Sequence, residues 1–417
     1  MELEADREVA AMMARPEAPV AGAPWIWNGY SLAERDRRWR VLRERAQQAG
    51  LDCLVVPLGD GTDARYFTQL AHAAVVLPTD GRPPIVVTDW PQRNEWVPEP
   101  RYAAGGWGTS MAEALIEAGM ERGCVGVAGM KAGIITFSRS GDGSVNHAAF
   151  AEVQRRLPNA RFSDATDIVG LVRWVKSDEE WTHIRRAVAI AEAAIDEIAE
   201  VARPGVDGDH LYGATFERML ALGCEHPGMA VEIGPVGKPT NHRATNPPIG
   251  KRIEEHDYIL AEVNAMAGSQ GTQEEQHFVL GRIPDRFKAA EDLLGEVFSA
   301  TSALIKPGNT VGDLIEFINS YAVRRGEKSG LVTRPMLKGG GYGEDGPRVS
   351  PMNRASELPE SLRELRFEVG ALVVWKPDVY ADDMGRALSW GGAMRVTEQG
   401  AEFVGRRPLG LMSIGQS

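Results

Sequence analysis

Glu274, Glu275 and His277, in the run Gln273-Glu-Glu-Gln-His277, are residue types that hold metal ions or move protons in hydrolytic sites. Neighbouring residues of a regular strand point to opposite faces. Glu274 and Glu275 therefore cannot both face one cleft, whereas Gln273 and His277 share a face. A second polar group follows a glycine run, Gly339-Gly-Gly-Tyr-Gly-Glu-Asp-Gly-Pro-Arg348. This run lacks the Lys-Ser/Thr ending of a phosphate loop and does not match a dinucleotide fingerprint after a first strand. It reads as a close-packed wall, with Tyr342, Glu344 and Arg348 as candidates to reach a substrate. Cys53, Cys124 and Cys224 are far apart, odd in number and without C-x-x-C spacing. A disulfide framework or structural zinc is not expected, and each reads as a small buried hydrophobe.

The elements that must position these groups follow from punctuation and periodicity. Residues 1–28 are rich in Pro and Ala and read as an arm. Ser31-Leu-Ala-Glu34 has the form of a capping box opening a helix to about Gly50. The apolar runs Leu51–Leu58, Ala73–Leu77 and Pro84–Thr88 read as strands bounded by turn residues. Alternating strand and helix signals to about Asp164 predict a compact α/β domain at 29–165. A second capping box, Ser177 and Glu180, opens a helix with Trp181, Ile184, Val188, Ala191, Ile195 and Ile198 on one stripe. That helix should end near Pro204-Gly205. Arg203-Pro-Gly205 before Gly208-Asp209 is echoed by Lys306-Pro-Gly308 before Gly312-Asp313, which predicts an internal duplication within 166–417.

At 417 residues the chain can bury more than one core, and 43% hydrophobic with 25% charged residues is ordinary globular usage. Its 46 basic and 58 acidic residues give a net charge of −12, which argues against nucleic acid or an anionic membrane as partner. The acidic N-terminus lacks the apolar core of a secretory signal. No run of about 18 apolar residues predicts a membrane span, so a cytoplasmic setting is expected.

From about Ser31 onward, and most clearly from residue 170, the sequence resembles the creatinase/prolidase/methionine aminopeptidase superfamily, the "pita-bread" proteins. The likeness rests on Leu171–Trp181, Asn241-His242, His256–Glu262, Phe278–Gly281, Gly339–Gly343, Gly370–Tyr380 with Lys376-Pro377, and Val396–Glu402 in that order. It implies an α/β (α+β) protein: a creatinase-like N-terminal α/β domain, then a pita-bread catalytic domain with a pseudo-two-fold duplication.

Metal-dependent members hold two metal ions with two aspartates, a histidine and two glutamates. Carried over, the aspartates correspond to Glu262 and Gln273, the histidine to Gly340, the first glutamate to Lys376, and the last to Gly391 or Gly392. A lysine at the centre repels divalent cations, so neither a metal nor another cofactor is expected. A site rebuilt from His242, Glu262 and His277 is the alternative.

Creatinase shows that the fold can work without metal, and the resemblance makes His242 a general acid/base. Its ordinary pKa of about 6.5 suits either proton role. Glu262 would orient the substrate. Lys376 would either replace lost metal charge or bind a substrate carboxylate or oxyanion, with Gln273 assisting. Creatinase carries glutamate where Lys376 stands, for a cationic guanidinium, so creatine is not the expected substrate. Arg65 and Tyr66 resemble a segment that relatives project into the neighbouring subunit's site, which implies a homodimer acting on a small molecule. The expected reaction is hydrolysis of a C–N bond; a lyase, or a binding protein without chemistry, are the alternatives.

Overall fold

The computed structural model describes residues 29–57, 62–70, 72–89, 92–103, 105–131, 133, 143–236, 247–342, 345–381 and 385–415. The chain forms two compact units. One contains residues 29–179 with Tyr342–Gly346; the other contains Glu180–Gly341 and the chain from Pro347 on.

The first unit is built on a six-stranded sheet, β1 (Cys53–Val56), β2 (Ala73–Pro78), β3 (Ile85–Thr88), β4 (Arg101–Tyr102), β5 (Cys124–Val127) and β6 (Arg161–Asp164), in the order β4-β3-β2-β1-β5-β6. The three apolar runs of the sequence thus become β1, β2 and β3. Both sheet faces are buried, which is why β1 and β2 are apolar without alternation. Leu54, Val56, Val75 and Leu77 pack with α1 (Leu32–Gln48), α2 (Thr62–Thr68) and α5 (Thr166–Trp174). Val55, Ala74 and Val76 pack on the other side with α3 (Trp107–Glu117) and α4 (His147–Arg156). Cys53 and Cys224 are buried as expected, and burial pushes the Cys53 thiol up to about 12; Cys124 is only half-buried. The Ser31 capping box forms by half. Ser31 Oγ accepts from the Glu34 N–H at 3.1 Å, but the Glu34 carboxylate is taken by Arg37 and Arg38.

In the second unit, α6 (Asp178–Val201) is followed by α7 (Gly208–Ala221), then α8 (Asp285–Ser302) by α9 (Val311–Arg324), each pair across the Arg/Lys-Pro-Gly step. The stripe from Trp181 to Ile198 is buried as its periodicity predicts. A four-stranded sheet follows each helix pair or lies with it: β7 (Gly228–Pro235), β8 (Asp257–Ala267) and β9 (Gln270–Leu280) with β17 (Met412–Ile414), and β11 (Leu337–Lys338), β12 (Leu372–Trp375), β15 (Gly392–Val396) and β16 (Ala401–Phe403). A smaller sheet joins β10 (Val332–Arg334), β13 (Asp378–Ala381) and β14 (Gly385–Ser389). Among the described residues no helix is long and apolar enough to cross a membrane.

One turn sets the register that matters. Gly268 (φ 55°) and Ser269 (φ 60°) both lie in the left-handed region, as a two-residue I′-type hairpin requires. Their N–H groups donate to the Glu225 carboxylate at 2.7 and 2.9 Å. Pinned there, β8 and β9 pair from Ala267↔Gln270 to Tyr258↔Val279.

Candidate functional site

The pairing places Glu262 opposite Glu275, Asn264 opposite Gln273 and Leu260 opposite His277, all on one face of β8 and β9. Glu274 and Gln276 fall on the other face with Phe278, whose ring enters the core beside Ile259, Ala261 and Val263.

Lys376 follows β12, its N–H donating to the Met336 carbonyl at 3.0 Å. Its side chain is fully buried, and Nζ lies 2.5 Å from Glu262 Oε2 and 2.8 Å from Glu275 Oε2. It also donates to Gln273 Oε1. That contact fixes the amide orientation, because Gln273 Nε2 donates to Glu262 Oε1 at 2.6 Å and Asn264 Oδ1 at 2.7 Å. An ammonium has three N–H donors, and here three acceptors surround it. Lys338, at the end of β11, brings a second ammonium to 3.9 Å from Glu262 Oε1. Buried charges are tolerable only when paired and hydrogen-bonded; two lysines here balance two glutamates.

On the opposite face Glu274 is served by another cation. Its Oε1 accepts from the Ala393 N–H at 3.0 Å and Thr272 Oγ1 at 3.2 Å, while Arg407 lies 3.4 Å from Oε2. Burial pushes the Glu274 carboxyl up to about 7, with Arg407 pulling against it. Arg407 also donates to Gln276 Oε1 at 2.5 Å and to the carbonyls of Glu275 and Gly391.

Glu262, Gln273 and Lys376 are thus brought into direct contact. His277 shares their face but is buried between the rings of Tyr258, at 5.3 Å, and Phe287, at 6.0 Å. Tyr342 and Tyr66 meet edge to face at 5.3 Å in the first unit, where Gln69 Nε2 donates to the Tyr342 hydroxyl at 2.7 Å. Tyr66 is fully buried in its own chain, so only the exposed Arg65 of that pair faces outward. Arg348 is exposed. His242 and Glu344 lie outside the described residues. Sequence reasoning missed Asn264 and Lys338, and raised Glu275 only as a candidate metal ligand, not as a partner of Lys376. Strand periodicity puts Glu275 with Gln273 and His277, but only the hairpin register sets it against Glu262.

The sequence profile of metallopeptidase family M24 matches residues 182–399, just over half of the chain. The chain belongs to family M24. Its similarity to the ectoine hydrolase of Halomonas elongata is 24% identity over 275 residues, 63% of this chain and 66% of that protein. An uncharacterized hydrolase/peptidase of Sinorhizobium fredii, y4tL, is 28% identical over 272 residues, 62% of this chain and 64% of that protein. The match therefore spans less than two thirds of these curated relatives. Among solved structures, dipeptidase PepE of Mycobacterium ulcerans superposes with a TM-score of 0.70 at 17% identity, covering 93% of this chain and 100% of that one. The fold is that of the pita-bread creatinase/prolidase proteins.

The M24 fold implies a two-metal centre, and the residues at its positions do not fit one. Lys376 puts a cation against Glu262 and Gln273, the two positions that would supply the paired aspartates. At the histidine position, a Cβ on Gly340 would meet the Gly271 carbonyl at 2.6 Å. At the last glutamate position, a Cβ on Gly391 would meet the Trp375 carbonyl at 2.1 Å, and one on Gly392 would meet Glu274 Oε2 at 1.7 Å. Backbone carbonyls and the Glu274 carboxylate close over the places where ligand side chains would start. Among the described residues no three His, Cys, Asp or Glu side chains form a group that could hold a metal ion.

Proposed function

We propose that this M24 protein is a metal-independent hydrolase cleaving a C–N bond of a small polar metabolite. The observation that carries the reading is the Lys376 ammonium, itself at a metal-ligand position, against Glu262 and Gln273 at two others and beside Glu275. With positive charge supplied by the chain itself, a histidine acid/base is the economical way to activate water. His242, on its sequence position, would take a proton from water as the oxygen bonds to the substrate carbon. It would return that proton to the nitrogen as the C–N bond breaks. Glu262, held in place by Lys376 and Gln273, would orient the substrate, and the lysine charge would favour the developing negative oxygen. Likeness to a protein named an ectoine hydrolase supports a hydrolase with a small-molecule substrate. The exposed Arg65 keeps a homodimer with a shared site as the working unit to test.

The test is a screen of small amides and ureas in ¹⁸O-water with His242→Ala as control. Hydrolysis places ¹⁸O in the carbonyl product, and His242→Ala abolishes it. Turnover without solvent oxygen would identify an eliminating enzyme instead, and full activity of His242→Ala would remove the acid/base assignment.

A further inference from the structure

The first unit contains a cavity of about 540 Å³, and the described residues that line it all belong to that unit. It lies at the carboxyl ends of β1 and β5, which run parallel and carry Val55 and Val127 side by side. In the sheet, β2 lies on the far side of β1 and β6 on the far side of β5, so the strand order divides between β1 and β5. Open α/β sheets place ligands outside the strand ends at such a division. The floor is Val55, Met111, Leu115, Val127 and Val153, all buried between the sheet and helices α3 and α4. Small residues at the helix starts leave the space above them unfilled. Gly106, with φ 88°, turns the chain into α3, and Gly108 brings α3 against α4, where a Cβ would meet the Ala149 carbonyl at 2.7 Å. Trp107, Phe150 and Phe162 also line the cavity and are only half-buried; the two phenylalanines meet edge to face at 5.4 Å. Packed interiors keep few voids larger than a water molecule, whereas ligand sites measure roughly 300–1,000 Å³.

We propose that this cavity binds an uncharged, ring-sized apolar molecule that carries a hydrogen-bonding group. Among the described residues that line it there is no lysine, arginine, histidine or aspartate. The carboxylate of Glu152, which does line it, is held on both oxygens by Arg155 at 2.8 and 2.7 Å. An ion entering here would leave water without gaining a side chain of opposite charge, a cost that a neutral molecule does not meet. Half-buried rings give an aromatic guest faces and edges to pack on. Thr109, Ser144 and Asn146 add hydroxyl and amide groups to the lining. Asn146 Oδ1 accepts from the Ala149 N–H at 3.0 Å, so the amide of Asn146 turns its NH2 outward as a donor. The proposal does not rest on the reaction assigned above, because the Lys376 cluster belongs wholly to the second unit.

Calorimetric titration of the full-length protein tests it. The probe is 2-naphthol, with 2-naphthoate and 2-naphthylmethylammonium as anionic and cationic counterparts of similar size. One 2-naphthol per chain should bind, and each ion about tenfold more weakly or not at all. Thr109→Phe and Ala148→Trp add bulk to the cavity from α3 and from α4. Ala148 is exposed, so its replacement disturbs no buried contact. Each variant that keeps the wild-type circular dichroism spectrum and melting profile should bind 2-naphthol at least about tenfold more weakly. Unchanged 2-naphthol binding in a folded variant, no binding to the wild type, or an ion bound as tightly as the neutral ring would each overturn the proposal.

Discussion

The Glu274 carboxylate stands where Gly392 would carry a side chain, with Oε2 only 1.7 Å from a Cβ built at that position. Oε1 of the same group accepts from the Ala393 N–H, so the carboxylate cannot swing away without leaving a buried donor unpaired. Gly392→Ala should therefore destabilise the protein by about 1–3 kcal/mol, the usual cost of forcing atoms into a packed site. Urea unfolding measures it, and an unchanged midpoint would show that the packing around Glu274 gives way freely.

Glu274 also makes a pH prediction. Its carboxyl is raised from 4.5 to about 7 by burial, so the folded state holds a proton that the unfolded chain releases earlier. The stability this contributes is fully present below 4.5 and is lost as pH rises through about 7. Glu274→Gln cannot titrate. Its stability relative to wild type should rise between about pH 5 and pH 8, read as the difference in urea midpoints. A pH-independent difference would place the carboxyl at its ordinary value.

Lys376→Met should be among the most damaging single changes in the second unit. It leaves Glu262 and Glu275 buried without their shared cation, a loss of about 3–5 kcal/mol for a broken buried pair. Adding Glu275→Gln removes one of the two stranded charges and should recover part of that loss. Chemical denaturation of the single and double variants decides it; a double variant weaker than the single one would mean that Glu275 is held chiefly by other groups.

Much of this was readable in the residues. The α6 stripe is legible because a 3.6-residue period survives in any context that buries one face. The contact of Lys376 with Glu262 was implied by the family resemblance together with the need of a buried carboxylate for a cation, although Glu262 lies in the middle of β8 and not at the strand end that the resemblance implied. Glu275 was not legible, because alternation assigns a face but not a partner strand's register, and that register depends on Glu225 binding the Gly268-Ser269 turn 43 residues away. Lys338 carried no signal at all: one lysine at a strand end looks like any solvated charge. Nor could the sequence show that glycines at 340, 391 and 392 are demanded by close backbone and side-chain approach rather than being mere replacements.

In the first unit, Asp345 is buried between Arg173, at 2.5 Å, and Lys176, at 3.0 Å. Burial raises its pKa, but the two cations outweigh it and hold the carboxyl below its ordinary 3.8. The resulting stability is present above 3.8 and is lost as pH falls through the lower folded value. Asp345→Asn should cost about 3–5 kcal/mol at neutral pH and a smaller amount in acid, measured by urea unfolding at the two pH values. Equal losses at both would show that the paired charges contribute nothing.

In the proposed function, Lys376 supplies the positive charge for which metal-dependent relatives use metal ions. Elemental mass spectrometry on chelator-treated protein, re-exposed to manganese, cobalt and zinc and then desalted, tests it most directly. No stoichiometric metal is expected in any sample. One tightly held ion per chain would contradict it, and would turn attention to His242, Glu262 and His277 as ligands.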